Sequence, residues 1–249
     1  MRHYALIGRS LAHSYSKRLF DAEGFPDADY RLHSMPSLDG MREWVRRDGI
    51  DGFNITNPYK QAVMALLDGV SPEARAIGAV NCVCVEDGRL TGHNTDAPAF
   101  RHTLESLLDT SHLSPDTACI LGTGGAAHAV AYALGQMGIP CTFVSRSPEL
   151  HPGAIGYSQL QTLNFQPSTL IVNATPVGTY PDADRSPLGP QFPMHKTPIV
   201  YDLVYNPSPT LLMRQAAAAG ATTCDGLAML RRQAELSWTL WGLAAHNDL

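Results

Sequence analysis

Charge is scarce in this sequence: Asp, Glu, Lys and Arg make up 16% of 249 residues, with a formal net charge of -5. Basic residues cluster no further than the pairs Arg46-Arg47 and Arg231-Arg232, which argues against nucleic acid as a main partner. Long apolar runs are missing too, so no segment reads as a helix crossing a membrane. The five cysteines form no CxxC pair and stand beside no histidine at metal-ligand spacing. With no signal peptide legible, this odd number leads us to expect a reducing cytoplasm, a soluble chain and no metal. Cys82 and Cys84 alternate with Val83 and Val85 and read as small buried apolar residues. Repeats and low-complexity tracts are absent. What remains is a globular balance, 44% hydrophobic, in a chain long enough for two domains of ordinary size.

The most informative stretch is Cys119-Ile120-Leu121-Gly122-Thr123-Gly124-Gly125-Ala126-Ala127, an apolar run that ends in a glycine turn. Gly122, Gly124 and Ala127 fit the G-x-G-x-x-G/A fingerprint, whose glycines let the backbone approach a pyrophosphate seated on a helix N-terminus. Ala127, Val130, Ala131, Leu134 and Met137 recur at helical spacing, Gly138 stops that helix, and Cys141 to Val144 read as a second strand. The pattern is a βαβ unit. The end of its second strand selects the cofactor, because an acidic residue there binds the ribose 2′-hydroxyl of NAD. Here that end is Ser145-Arg146-Ser147, suited instead to pairing a 2′-phosphate, so NADP is expected. Glu149 lies past the strand tip, beyond Pro148. The bland alternative is an α/β unit that binds no nucleotide and carries a surface arginine.

Ahead of this unit, residues 3–8, 30–33 and 50–55 read as strands and 37–46 as a helix. The loop 9–16 holds His13, Ser14, Tyr15 and Ser16. Ser16 can cap a helix through Phe20, or Ser14 and Ser16 can hold a small anion together. Pro58 suits the first turn of a helix continuing through Leu67. Lys60 would then sit near a helix start, where a cation opposes the dipole, which points to function over an ordinary surface lysine. Residues 79–85 form a strand, Asp87-Gly88 a hairpin turn and residues 90–92 its partner, leading to His93-Asn94-Thr95-Asp96. Asp96 either caps the helix from 97 to 108 or has a chemical role. Residues 109–115 read as a linker. Later come strands at 169–173 and 198–205 separated by a proline-rich loop, a helix opened by Ser208 and Pro209 and closed by Gly220, and the turn Asp225-Gly226. A last helix follows, with Gln233 and an apolar face of Leu230, Ala234, Leu236, Trp238 and Trp241.

These motifs belong together. His13-Ser14-Tyr15-Ser16, Asn54 to Lys60, Ala79-Val80-Asn81, Asn94-Thr95-Asp96, the glycine loop, Asn173-Ala174-Thr175-Pro176 and Asp225 to Leu230 resemble shikimate dehydrogenases, in order and over nearly the whole chain. The resemblance implies an α/β fold: a Rossmann-type dinucleotide domain plus a smaller α/β substrate domain, with the active site in the cleft between them. Boundaries are expected at 1–98 for the substrate domain, completed by the C-terminal helix 223–249, and at 99–222 for the NADP domain. The implied reaction is the NADPH-dependent, reversible reduction of 3-dehydroshikimate to shikimate in chorismate and aromatic amino acid biosynthesis. Lys60 and Asp96 are implied as the catalytic pair. Ser14 and Ser16 would hold the substrate carboxylate, and Thr56, Asn81 and Gln233 the ring hydroxyls, with Tyr205 close by. Gly122, Gly124, Gly125, Ala126, Ser145, Arg146, Ser147, Thr175 and Gly226 would contact NADP.

Amides and hydroxyls are the donors and acceptors that a polyhydroxy carboxylic acid requires, so the residue types suit the implied substrate. The chain departs from the family pattern at Lys17, Gln61, His93 and Ala97, none of which removes an implied contact. Leu150 stands where a second basic residue is frequent, so one phosphate contact is expected to be missing. Other readings are a quinate or related polyol-acid dehydrogenase on the same scaffold, and a non-catalytic NADP-binding regulator. A monomer or homodimer without membrane partners is expected.

Overall fold

The structure, a computed structural model, describes residues 1–12, 14–162, 168–189, 192 and 199–243. His13 and parts of the expected proline-rich loop lie outside the described residues. Two compact units are present, one of Met1–Ala99 and Leu230–Leu249, the other of Phe100–Met229.

The first unit is built on a six-stranded mixed sheet. Its strands are β1 (Arg2–Gly8), β2 (Ala28–Ser34), β3 (Gly52–Ile55), β4 (Gly69–Val70), β5 (Cys82–Glu86) and β6 (Arg89–His93), in the order β2-β1-β3-β5-β6-β4. Alternation in β1 explains why both faces are covered. Ala5 and Ile7 pack with Phe53, Ile55, Val83 and the helix α2 (Met41–Arg47), which contributes Met41, Trp44 and Val45. Tyr4 and Leu6 point the other way, into Phe20, Tyr30, Cys82, Trp238 and Trp241. Trp241 stacks on Tyr4 at 4.5 Å between ring centroids and donates its indole N–H to the Val83 carbonyl at 3.0 Å. The chain's last described turn is thereby fastened to its first sheet. Between β5 and β6, Asp87 and Gly88 have φ of 51° and 74°, the paired left-handed residues that a tight hairpin needs.

The second unit holds β7 (Thr117–Leu121), β8 (Cys141–Ser145), β9 (Ile155–Gly156), β10 (Thr169–Asn173), β11 (Ile199–Asp202) and β12 (Thr222–Cys224). All five pairings are parallel, in the order β12-β11-β10-β7-β8-β9. Strand β7 starts in the middle, and the order reverses between it and β10, which makes their carboxyl ends a topological switch point. Cys119, Leu121, Val144, Ile171 and Val200 form one buried layer with Leu212 and Ala216 of helix α7 (Leu211–Ala218). Near-continuous apolar strands are what a parallel sheet buried on both faces requires.

Several expected elements differ. The helix expected at 37–46 begins at Met41, because residues 38–41 turn first, with Met41 N donating to Leu38 O. No helix starts at Pro58. Tyr59 N bonds Thr56 O, and Lys60 O is taken by Val80 N, so the backbone is tied to the sheet side and only a short 3-10 turn forms at Ala62–Leu66. The dipole argument for Lys60 therefore lapses. Strand β11 ends at Asp202, since Leu203 N and Val204 N bond Asn173 O and the Asp202 carboxylate. The expected linker at 109–115 is partly helix, as α4 (Asp96–Ser111) extends into its first residues. The unit boundary at Ala99 falls inside α4 and the one at Met229 inside α8 (Leu227–Leu240), whereas the position expected at 222 falls inside β12. Among the described residues no helix is long and apolar enough to cross a membrane.

Candidate active site

In the first unit, polar side chains gather where β3, β5 and β6 end. Strand β3 leads into Thr56 and Lys60, residues 79–81 lead into β5, and β6 leads into α4. Asn94 decides the geometry. Its Oδ1 accepts from Ala97 N at 3.0 Å and so caps α4, while its Nδ2 donates to Ala79 O at 2.9 Å. Capping had been one expectation for Asp96, but the cap belongs to Asn94, two residues earlier, which leaves the Asp96 carboxylate free for other partners. One oxygen accepts from Lys60 Nζ at 2.6 Å and the other from Asn81 Nδ2 at 3.0 Å. The pair is well screened from water, with side-chain exposures of 17% for Lys60 and 6% for Asp96. A charge pair this buried is held by geometry and further hydrogen bonds, since its desolvation otherwise outweighs its attraction.

Asn81 is the hub. Its Nδ2 also lies 2.8 Å from Thr95 Oγ1 and 3.3 Å from Gln233 Oε1, and its Oδ1 accepts from Thr95 N at 2.7 Å. Gln233 reaches it from α8, steadied by its own donation to Leu230 O. One turn further on, Ser237 donates to Gln233 O, accepts from Asn54 Nδ2 at 2.9 Å and bonds Thr95 Oγ1. Asn54 Oδ1 in turn accepts from the Tyr30 hydroxyl at 2.9 Å. Burial holds the Tyr30 phenol well above its ordinary range, so it acts as a neutral donor. The result is a continuous buried polar network from Tyr30 to Lys60, with its members satisfying one another as buried polar groups must.

Of the other predicted residues of this unit, Thr56 stands between Asn54 and Lys60 in sequence, whereas Ser14 and Ser16 follow β1. Ser14 Oγ donates to Ser16 Oγ at 3.2 Å and accepts from Ser16 N, so the two hydroxyls sit together at the start of α1 (Ser16–Glu23). Ser16 is not the cap: the N-cap position is Tyr15 and no side chain fills it. Thr56 follows β3, its N–H bonded to Ile7 O. Tyr205 lies in the second unit, half-buried beyond β11.

The second unit carries the expected dinucleotide residues at its switch point. Gly122 has φ of +105°, and a Cβ there would stand 3.1 Å from Thr175 Cγ2 and 3.3 Å from Ala174 O. Only glycine turns the chain tightly enough at that spot. Gly124 is the N-cap of α5 (Gly125–Gln136), with Ala126 in the first turn, and nothing stands within 4 Å of where its Cβ would be. Open space above unbonded helix N–H groups is what a pyrophosphate needs. At the tip of β8, Ser145 Oγ accepts from Ser147 N. Arg146 is exposed and joins no ion pair among the described residues, so its guanidinium is available to an anion. The residues therefore fit NADP.

Thr175 is fixed from behind. Asn173 Oδ1 accepts from Thr175 N and Oγ1, and Asn173 Nδ2 donates to Asp202 Oδ1 at 2.8 Å. Asp202 is fully buried and also accepts from Thr210 Oγ1 and Val204 N. Burial pushes its carboxyl up to about 6, and these hydrogen bonds oppose that rise. Gly226 answers a packing demand: a Cβ there would meet Leu203 O at 2.1 Å. Asp225 Oδ1 then accepts from Leu227 N and caps α8.

Asn54, Ser237 and Asp202 carry no site role in the sequence reading, although Asn54 opens one of the quoted motifs. Each had a signal: an amide inside the apolar strand Phe53-Asn54-Ile55, a serine one helical turn after Gln233, and a carboxylate closing the run Ile199-Val200-Tyr201. Among the described residues no three His, Cys, Asp or Glu side chains come together to hold a metal.

Comparison with known proteins adds to the geometry. Residues 6–83 match the family model described as the shikimate dehydrogenase substrate binding domain. The chain is 36% identical to a shikimate dehydrogenase (NADP(+)) from Symbiobacterium thermophilum, covering 95% of this chain and 87% of that protein. It superposes on the crystal structure of shikimate 5-dehydrogenase from Thermus thermophilus in complex with NADP(H) and shikimate with a TM-score of 0.79, 37% identity and coverage of 98% and 95%. A quinate dehydrogenase from Corynebacterium glutamicum in complex with NAD is similar too, with a TM-score of 0.79, 30% identity and coverage of 97% and 94%.

Proposed function

The chain belongs to the shikimate dehydrogenase family, and on that premise we propose that it reduces 3-dehydroshikimate reversibly to shikimate with NADPH. The observation that carries this reading is the buried Lys60–Asp96 pair, bonded at 2.6 Å and joined through Asn81 to Gln233. NADPH supplies the hydride when bound. The protein's part is to orient the ketone and to provide a proton to the oxygen that becomes anionic.

Lys60 does this from a fixed position. Its ammonium is held by Asp96 Oδ2, donates to the reacting oxygen and stabilises the alkoxide, an interaction strengthened because the pair is screened from water. Asp96 also accepts from a ring hydroxyl, so substrate and lysine are aligned through one carboxylate. Thr56, Asn81 and Gln233, with Tyr205, read the remaining hydroxyls, and Ser14 with Ser16 receives the substrate carboxylate between two adjacent hydroxyls. On the cofactor side, the backbone of Gly122, Gly124, Gly125 and Ala126 would hold the pyrophosphate, with Thr175 and Gly226 as further cofactor contacts. Ser145, Arg146 and Ser147 would hold the 2′-phosphate. The proposed setting is the cytoplasm, in keeping with five free cysteines.

A second reading, quinate oxidation with NAD, is favoured by the likeness to the quinate dehydrogenase. Oxidation of shikimate and of quinate, each with NADP and with NAD, separates the two. We expect shikimate with NADP to give the highest kcat/KM. Preference for quinate with NAD would replace the first reading by the second, and no turnover with either acid would overturn both.

A further inference from the structure

We propose that His151 is a specificity-determining residue of the dinucleotide site, binding the 2′-phosphate of NADP together with Arg146. The inference deepens the NADP reading above and rests on it. Leu150, where a second basic residue was expected, is 71% exposed and offers no polar side-chain atom. The next residue does. The short turn Pro148–Leu150, closed by His151 N donating to Pro148 O, brings the His151 ring back to the glycine loop, where Nε2 and Thr123 Oγ1 are hydrogen-bonded at 3.1 Å.

That contact fixes where the ring lies. Thr123 follows β7 and Arg146 follows β8, and these neighbouring parallel strands end in register, with Leu121 opposite Val144 and Gly122 N bonded to Val144 O. His151 therefore spans the loops at the carboxyl ends of two adjacent strands, on the edge where the ribose of a dinucleotide sits. With Nε2 engaged by the threonine, Nδ1 has no partner among the described residues and is left to face a ligand. Beside the Ser145 and Ser147 hydroxyls, a single exposed guanidinium would otherwise be the one cationic partner of a dianionic phosphate. The His151 imidazole adds a further donor without a second permanently charged side chain, consistent with the chain's low charge content.

The competing explanation is that His151 merely braces the glycine loop through Thr123, which would affect every dinucleotide equally. Isothermal titration distinguishes the two, using NADP and adenosine 2′,5′-bisphosphate on one side and NAD and adenosine 5′-monophosphate on the other. His151→Leu should raise Kd for the two 2′-phosphorylated ligands about tenfold, the loss typical of a hydrogen bond to a charged group, and change the other two less than about twofold. His151→Lys should restore the difference, which also shows that the site still folds. Equal weakening of both sets, no change in either, or failure of His151→Lys to recover the 2′-phosphate preference would overturn the proposal. Wild-type protein binding NAD as tightly as NADP would instead overturn the underlying cofactor reading, whatever the variants do.

Discussion

In the first unit Lys60, Asp96, Asn81, Thr95, Ser237 and Asn54 direct their hydrogen bonds at one another, behind strands that exclude water. In the second unit the residues proposed to meet the cofactor are left open: Arg146 is exposed, and space lies above Gly124. The difference follows from what each unit is to bind. A neutral ring hydroxyl is recognised by donors and acceptors already fixed in direction, and the Lys60 ammonium proposed as the proton donor keeps its place because Asp96 neutralises it. A phosphate brings its own charge, so its partner can wait in water at little energetic cost and engage on binding. Preorganisation in one unit and availability in the other are two answers to the cost of desolvation.

The most drastic way to break this contrast is to remove the charge that the first unit is arranged around. Lys60→Ala should lower kcat by roughly 10²–10⁴, the range of general acid–base groups, with the substrate Kd changing far less. Asp96→Asn should also be impaired, and the double variant should fall less than the product of the singles, because the two act as a unit. Near-normal turnover in Lys60→Ala would sink the assignment. Next in size is the open side. Arg146→Ala should raise the NADP Kd by about 10- to 100-fold and leave NAD nearly unchanged, which corresponds to losing a charge-assisted contact. Equal damage with both cofactors would make Arg146 structural.

Smaller effects sharpen the comparison within the cores. Ser237→Ala removes an acceptor from buried Asn54 and a partner from Thr95, and should cost about 1–3 kcal/mol of stability. In urea unfolding, a change below about 0.5 kcal/mol would show that the network is not closed through Ser237. The smallest effect concerns Asp202. Its folded carboxyl is raised to about 6 from the ordinary 3.8, so the folded chain holds that proton more tightly than the unfolded one. The associated stability is present in full below about 3.8 and is lost as pH rises through about 6. Asp202→Asn lacks this titration, so its Tm relative to wild type should rise between pH 4 and 6. A difference that stays constant across that window would refute the shift.

Much of this was legible in the chain. Apolar runs marked β1 and β5, the glycine loop marked β7 and α5, the quoted motifs contained Lys60, Asn81 and Asp96, and Gln233 was read on the last helix. Misreadings arose where a local signal had a distant competitor. Pro58 is locally a fair helix opener, but Lys60 O bonds Val80 N, twenty positions on. Asp96 is locally a fair cap, but Asn94 fills that role while being held by Ala79.

By itself, then, the sequence determined the alternation of strands and helices, the glycine turn and the choice of residue types, because periodicity, turn conformation and donor chemistry are properties of neighbouring residues. Only the tertiary structure decided which side chains meet. Asn81 joins Gln233 across 152 positions and Asn54 joins Ser237 across 183, and no local pattern encodes such pairs. They exist because the C-terminal helix packs Trp238, and the turn after it Trp241, on the first sheet, and burial then obliges every polar group carried along with it to find a partner.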